Sequence, residues 1–311
     1  MSSVSREAPS GTPSSVATVA TGDGVALSVH RSGIETGPVI VFVHGYPDDS
    51  HVWRQVIGAL SDLGQLVTYD VRGSGASGAP AERSAYRLDR LAADLRDVVE
   101  AVAPDASGAP GGRVHLVAHD WGSTAAYHAL DTTLRGRVAS FTSISGPHLG
   151  HVRSWVRRQM QRGPRGWVGL AGQGWSSAYL GWFLLPGPID LAIRIGIIGR
   201  LVARDRSRRG ARVARTDLRH GLKIYRANLL GRDRRPPAGL EVPVQVIVPT
   251  RDPYVRASVQ SDVDGWVSRL TVVRVDAGHW LMLSDPSVVA EHIRSFVQAH
   301  SGSVPAESTL G

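Results

Sequence analysis

The segment Arg113-Val-His-Leu-Val-Ala-His119-Asp120-Trp121-Gly122-Ser123 reads as an apolar strand turning sharply into a helix, with an aspartate at the turn. Ala118 and Gly122 flank it in the small-x-nucleophile-x-Gly form of a nucleophile elbow. Small neighbours permit the strained backbone that holds a central side chain exposed beyond the strand's end. A serine there would predict acyl transfer to a hydroxyl. A carboxylate predicts attack on an sp³ carbon and an alkyl ester on the protein, the chemistry of epoxides or carbon–halogen bonds.

Two further groups follow in the order that such a nucleophile requires. Asp252 lies just past the apolar run Val242–Val248, and His279, in Asp276-Ala-Gly-His279-Trp280, lies just past the run Leu270–Val275. His279 is the candidate base that takes a proton from water, and Asp252 the acid that fixes its tautomer and stabilises the imidazolium. After the first core strand, His44-Gly45-Tyr46-Pro47 is expected to aim the Tyr46 N–H into the site. With the Trp121 N–H it would form an oxyanion hole for the tetrahedral intermediate of ester hydrolysis. His44 is expected to brace that turn, Asp48 or Asp49 to cap the helix opening near Ser50, and Arg72 to tie the Asp70 loop together. His115 and His119 have no acidic or thiol partner nearby in sequence, so packing is expected, and no metal site.

These residues need a sheet whose strand ends meet. Strands are predicted at Pro38–Val43, Gln65–Asp70, up to His119, Val138–Ser143, Val242–Val248 and Leu270–Val275, all read as buried from their β-branched runs. Helices are predicted at Arg87–Ala103, stopped by Pro104, at Ser123–Thr132 and at Pro286–His300. This alternation implies an α/β fold with a mostly parallel, doubly wound sheet. It fails between residues 146 and 235, which read as a helical cap inserted after the strand Val138–Ser143, over the strand ends where ligands bind in open α/β sheets. The predicted organisation is therefore core (1–145), cap (146–235) and core (236–311). Breaker pairs Gly146-Pro147 and Pro236-Pro237 mark the cap's ends.

The chain has 311 residues, no cysteine and a net charge of +8, which excludes disulfides and thiolate metal sites. Residues 1–22, rich in Ser, Ala, Thr and Pro, read as a mobile tail without a signal peptide, and a cytoplasmic location is expected. Residues 151–235 carry 19 Lys and Arg against 4 Asp and Glu, so the remainder is net negative. No recognition motif accompanies this basic block, so nucleic acid is not an expected partner. Interleaved Trp155, Trp167, Trp175 and Trp182 suit either peripheral contact with an anionic lipid surface or a long apolar substrate; solvated helix faces are the plain alternative.

From about residue 20 to 300 the chain resembles α/β-hydrolase-fold epoxide hydrolases, on His44-Gly-Tyr-Pro47, His119-Asp-Trp-Gly122, Asp252 and Gly278-His-Trp280. The resemblance implies two cap tyrosines that donate hydrogen bonds to the epoxide oxygen. Tyr225, in Leu222-Lys-Ile-Tyr-Arg-Ala-Asn228, and Tyr179, at its distance from Pro186-Gly187, occupy suitable contexts. It also implies a small-molecule epoxide substrate, a vicinal diol product, roles in detoxification or lipid metabolism, and no cofactor. Trp121, Trp182 and Trp280 are candidate substrate contacts. Tyr69-Asp-Val-Arg-Gly-Ser-Gly75 and Phe141-Thr-Ser-Ile-Ser-Gly-Pro147 resemble an actinobacterial subgroup that joins such a domain to a C-terminal short-chain dehydrogenase. That implies lipid-like epoxides, and the expectation that this chain corresponds to the hydrolase half. A haloalkane dehalogenase, with the same Asp-Asp-His set and with Trp121 and a cap Trp as halide donors since position 46 is Tyr, and a non-catalytic scaffold binding lipid or a partner through the basic cap are the rival readings.

Overall fold

In a computed structural model of the chain, eight strands form one sheet, described over residues 15–103, 112–185, 187–205, 213–229, 239–263 and 265–301. The strands are β1 (Ser15–Ala20), β2 (Ala26–Gly33), β3 (Val39–Val43), β4 (Gln65–Tyr69), β5 (Val114–His119), β6 (Val138–Ile144), β7 (Val244–Pro249) and β8 (Leu270–Val275). Their order is β1-β2-β4-β3-β5-β6-β7-β8, antiparallel up to β4 and parallel from there. Helices α1 (Arg54–Ala59), α2 (Leu88–Val102) and α3 (Trp121–Asp131) fall between the first six strands. Among the described residues, β6 and β7 are separated by α4 (Leu149–Gln161), α5 (Pro164–Ser176), α6 (Tyr179–Leu184), α7 (Pro188–Arg194), α8 (Ile197–Asp205) and α9 (Arg215–Asn228). The chain closes with α10 (Ala257–Ser261), α11 (Leu281–Ser284) and α12 (Pro286–His300).

Apolar side chains fill both faces of the sheet. On one, Leu91, Leu95, Val98 and Val99 of α2 and Ala126 and Leu130 of α3 pack on Val41, Val67 and Leu116. On the other, Val56 and Ile57 of α1 and Val289, Ile293 and Val297 of α12 pack on Ile40, Phe42, Val117 and Ile247. Continuous burial along β5 and β7 follows from coverage on both sides. The strand order reverses at β3, which lies between β4 and β5, so the connections leaving β3 and β5 diverge around a crevice at their carboxyl ends.

The structure corrects two expectations here. Residues 15–20, assigned to the tail, form β1, in register from Ser15 opposite Arg31 to Ala20 opposite Ala26; the strand is short, mostly exposed and at the sheet's edge, so no buried run announces it. β8 is half-exposed rather than buried, because it is the opposite edge of the sheet. The remainder of the tail, the Pro104 helix stop, Pro186 and the Pro236-Pro237 boundary lie outside the described residues.

Candidate active site

Asp120 occupies the turn between β5 and α3 with φ +51° and ψ −122°. A non-glycine residue held there stores of the order of 1–3 kcal/mol of backbone strain. The turn is feasible because its neighbours lack side chains. A Cβ on Gly45 would lie 2.5 Å from the Asp120 Cβ, and one on Gly122 would lie 2.4 Å from the His44 carbonyl oxygen. The carboxylate thus sits at the amino end of α3, where unpaired N–H groups and the helix dipole favour negative charge.

Tyr46 N–H donates to Asp120 Oδ2 at 2.9 Å, and the Trp121 N–H lies close enough to this carboxylate to favour its charged form. Both expected oxyanion donors therefore face one group. The His44 turn is braced as expected: Val71 N–H donates to Nε2 at 2.9 Å, leaving Nδ1 to donate to the Gly45 carbonyl at 2.9 Å. The Tyr46–Pro47 peptide is cis. Asp49 caps the following turn through the His51 N–H. Buried Arg72 reaches farther than its own loop, pairing with Asp94 on α2 and, at 2.9 Å, with Asp23.

His279 Nδ1 lies 2.9 Å from Asp252 Oδ2. The other carboxylate oxygen, Oδ1, accepts N–H bonds from Tyr254 (2.8 Å) and Val255 (3.0 Å), which fixes its orientation. Burial raises the Asp252 pKa, but His279 and these hydrogen bonds overcome it and hold the group below the usual carboxylate range. For His279, burial pulls downward, yet Asp252, then Asp120 and Asp48, push it up to about 9. Asp120 is shifted the other way: burial outweighs His279 and the two N–H donors and pushes it up to about 6. Beneath the base, the His119 ring lies 4.6 Å from that of His279 and donates from Nε2 to its carbonyl at 3.1 Å. The expectation that His119 packs thus extends to orienting the base. His115 is buried against Ser140 Oγ at 2.7 Å. Among the described residues, no group of His, Cys, Asp or Glu could hold a metal ion.

A cavity of about 220 Å³ opens over these groups. The core contributes Asp120, Tyr254, His279 and Trp280, and the inserted helices contribute Tyr179, Phe183, Ile198, Leu201, Val202 and Tyr225. Tyr179 and Phe183 are four residues apart on α6 and so share one face. Tyr225 descends from α9, with its ring edge-on to Tyr46 (5.2 Å) and Trp121 (4.9 Å). The Trp121 side chain approaches the Tyr225 hydroxyl, and the Tyr179 hydroxyl lies near Tyr225, closely enough for each tyrosine to act on the other's charge. Burial, followed by nearby negative or phenolic groups, raises the pKa of both tyrosines, so each keeps its proton.

The structure therefore brings Asp120, Asp252, His279, Tyr46, Tyr179, Tyr225 and Trp280 together. Two expected substrate contacts fall elsewhere. Trp182 is 62% exposed and absent from the cavity wall, because it lies about 100° around α6 from the inward-facing Phe183. The Trp121 indole is packed under Tyr225 instead of lining the cavity. Sequence reading also missed Tyr254, whose ring lies against His279 (4.9 Å) and Tyr179 (5.4 Å), and Gly221, where a Cβ would meet the Tyr46 ring at 2.2 Å. A signal existed for both: Tyr254 is two residues past Asp252, and Gly221 is one helical turn before Tyr225.

Residues 38–286 match the family described as alpha/beta hydrolase fold. A probable oxidoreductase, EphD, of Mycobacterium tuberculosis is 34% identical over 304 residues, covering 93% of this chain and 50% of that protein. The chain thus spans about half the length of these mycobacterial relatives. An epoxide hydrolase of Caballeronia sordidicola is 35% identical over 144 residues, 46% of this chain and 41% of that one. The crystal structure of a Bacillus megaterium epoxide hydrolase in complex with an inhibitor superposes with a TM-score of 0.72 at 23% identity, covering 91% of this chain and 100% of that one. At that identity the likeness is one of fold.

Proposed function

This chain belongs to the α/β-hydrolase fold family, and from that premise we propose that it hydrolyses apolar, lipid-like epoxides to vicinal diols through an ester on Asp120. The observation that carries the reading is the convergence of a strained, N–H-bound carboxylate and two protonated phenols on one apolar cavity. Asp120 Oδ2 is held by Tyr46, so Oδ1 attacks the less hindered epoxide carbon and the ring C–O bond breaks. The developing alkoxide takes its hydrogen bond, and then a proton, from Tyr179 or Tyr225. Each donor contributes roughly 2–4 kcal/mol, by analogy with an oxyanion-hole donor.

The second half follows from the charges. Asp120 is one of the groups that raise His279. Esterification removes that charge, which lowers the imidazole's pKa and frees it to accept a proton. Neutral His279 then takes a proton from water while the hydroxide attacks the ester carbonyl. The resulting oxyanion falls to the Tyr46 and Trp121 N–H groups, which already face that oxygen's position. Collapse expels the diol alkoxide, which takes the imidazolium proton, while the Asp120 carboxyl so formed returns its proton to the phenolate and restores the starting protein. Water is consumed and nothing is oxidised or reduced.

The dehalogenase reading has less support, because the Trp121 ring packs against Tyr225 off the cavity wall and no cap Trp lines the cavity among the described residues. The test is product analysis with long-chain and styrene-type epoxides beside chloroalkanes. Diol formation is expected, with Tyr225→Phe lowering kcat about 30- to 1000-fold. Halide release without diol formation would refute the proposal.

A further inference from the structure

Residues 166–189 contain no charged side chain, yet their tryptophans stand in solvent: Trp167 and Trp175 on α5 are 66% and 83% exposed, and Trp182 on α6 is 62% exposed. Tryptophan is a residue that folding ordinarily covers, and exposed apolar area on this scale marks an interaction surface. Val168, Ala171 and Trp175 recur at helical spacing along the exposed side of α5. The single buried residue of α5 is Gly166, and α6 has none among its described residues, so this face is not spent on the protein's own core.

The charges around the segment are of one sign. Arg153, Arg157, Arg162 and Arg165 precede it and Arg194 and Arg200 follow it, all exposed. Of the acidic side chains described in the insert, Asp217 is buried and Asp190 is engaged by Arg226 at 3.1 Å. Outside the insert the chain is net negative. An anionic surface would attract the insert and repel the core, which fixes the orientation of approach. No described helix is long and apolar enough to cross a membrane. Tryptophans flanked by arginines suit the interface itself, with indoles at headgroup depth and guanidinium groups on phosphates. The patch also continues to the active site. α6 carries Trp182 outward and Tyr179 and Phe183 inward, and Leu201 of α8 both lines the cavity and is largely exposed.

From these observations we infer that α5, α6 and the outer face of α8 form a docking surface for anionic lipid bilayers, presenting the cavity mouth to the membrane. Docking is read without substrate, so it stands or falls independently of the epoxide proposal. The experiment is co-sedimentation of the full chain with phosphatidylcholine vesicles containing about 30% phosphatidylglycerol, and with phosphatidylcholine alone. Binding is expected to the anionic vesicles, to weaken at about 1 M salt, and to fall about tenfold or more in a Trp167→Ser/Trp175→Ser variant. That variant's thermal midpoint and its turnover of a small soluble epoxide are expected to stay unchanged. Equal binding to neutral vesicles, no binding, or binding indifferent to the two tryptophans would overturn the inference. So would concentration-dependent dimerisation in sedimentation velocity that the double variant abolishes, which would assign the face to a second copy of the chain.

Discussion

At Asp120 the proposed chemistry and the stability of the fold pull in opposite directions. Its carboxyl is buried and titrates near 6, above its ordinary value of 3.8. A carboxyl raised on folding favours the native state while protonated, and that contribution is lost as the pH rises through the folded pKa. Above about pH 6 the native protein therefore carries a buried charge that opposes folding. Asp120→Asn is expected to abolish turnover yet raise stability at pH 8 by about 1–3 kcal/mol. The gain should shrink as the pH falls from about 6 toward 4, measured as the difference in chemical denaturation between the two proteins. A less stable variant at pH 8 would mean that attraction between Asp120 and His279 dominates burial. At this scale the sequence was informative where chemistry constrains type: Asp120, Asp252 and His279 each follow a strand, and they meet. It was uninformative where only direction matters. Trp182 and Phe183 are adjacent in sequence, and which of them faces the cavity depends on how α6 rests on α9.

Among the elements, α9 matters most to the proposed chemistry, since it carries Tyr225 over the nucleophile. Its height is set by a close contact: Gly221 lets the helix lie on the Tyr46 ring, and Tyr46 donates from its hydroxyl to the Leu218 carbonyl at 3.2 Å. A Cβ at 221 would stand 2.2 Å from the ring, so α9 must lift or Tyr46 must turn. Gly221→Ala is accordingly expected to lower kcat/KM for epoxides about tenfold or more, on the reasoning that small displacements of positioned groups are costly. The thermal midpoint should fall, since overlap with the buried ring outweighs the ~1 kcal/mol by which alanine favours a helix over glycine. Unchanged kcat/KM would show that Tyr225 is not held in place through Tyr46. The central strands and long helices were legible because burial on both faces forces continuous β-branched runs and burial on one face forces helical spacing. The edges were less so: β1, short and mostly exposed, reads as tail, and β8 is located but reads as buried, because nothing in Leu270–Val275 marks it as the sheet's edge.

Across the whole molecule burial is uneven: the sheet is densely covered, whereas α5 and α6, among the helices between β6 and β7, are thinly anchored. Every residue of β5 and β7 is buried, whereas α6 has no buried residue among those described. Local opening should follow that contrast. Amide hydrogen exchange is expected to be fastest in α5–α8, and a bound diol product should slow it most at α6 and α9, which close the cavity. Uniform protection across insert and core would contradict this division. The insert was visible in the sequence as a failure of the strand–helix rhythm and as a one-sided charge balance. Its packing was not, because thin contacts impose weak patterns. The central claim concerns one bond between Asp120 and substrate, and it is tested most directly in a His279→Gln variant, where the ester should form but not hydrolyse. After incubation with a long-chain epoxide, mass spectrometry of the digested protein is expected to find the substrate's mass added to the peptide carrying Asp120. Diol production by that variant at the wild-type rate, or an adduct mapped to any other residue, would contradict the account.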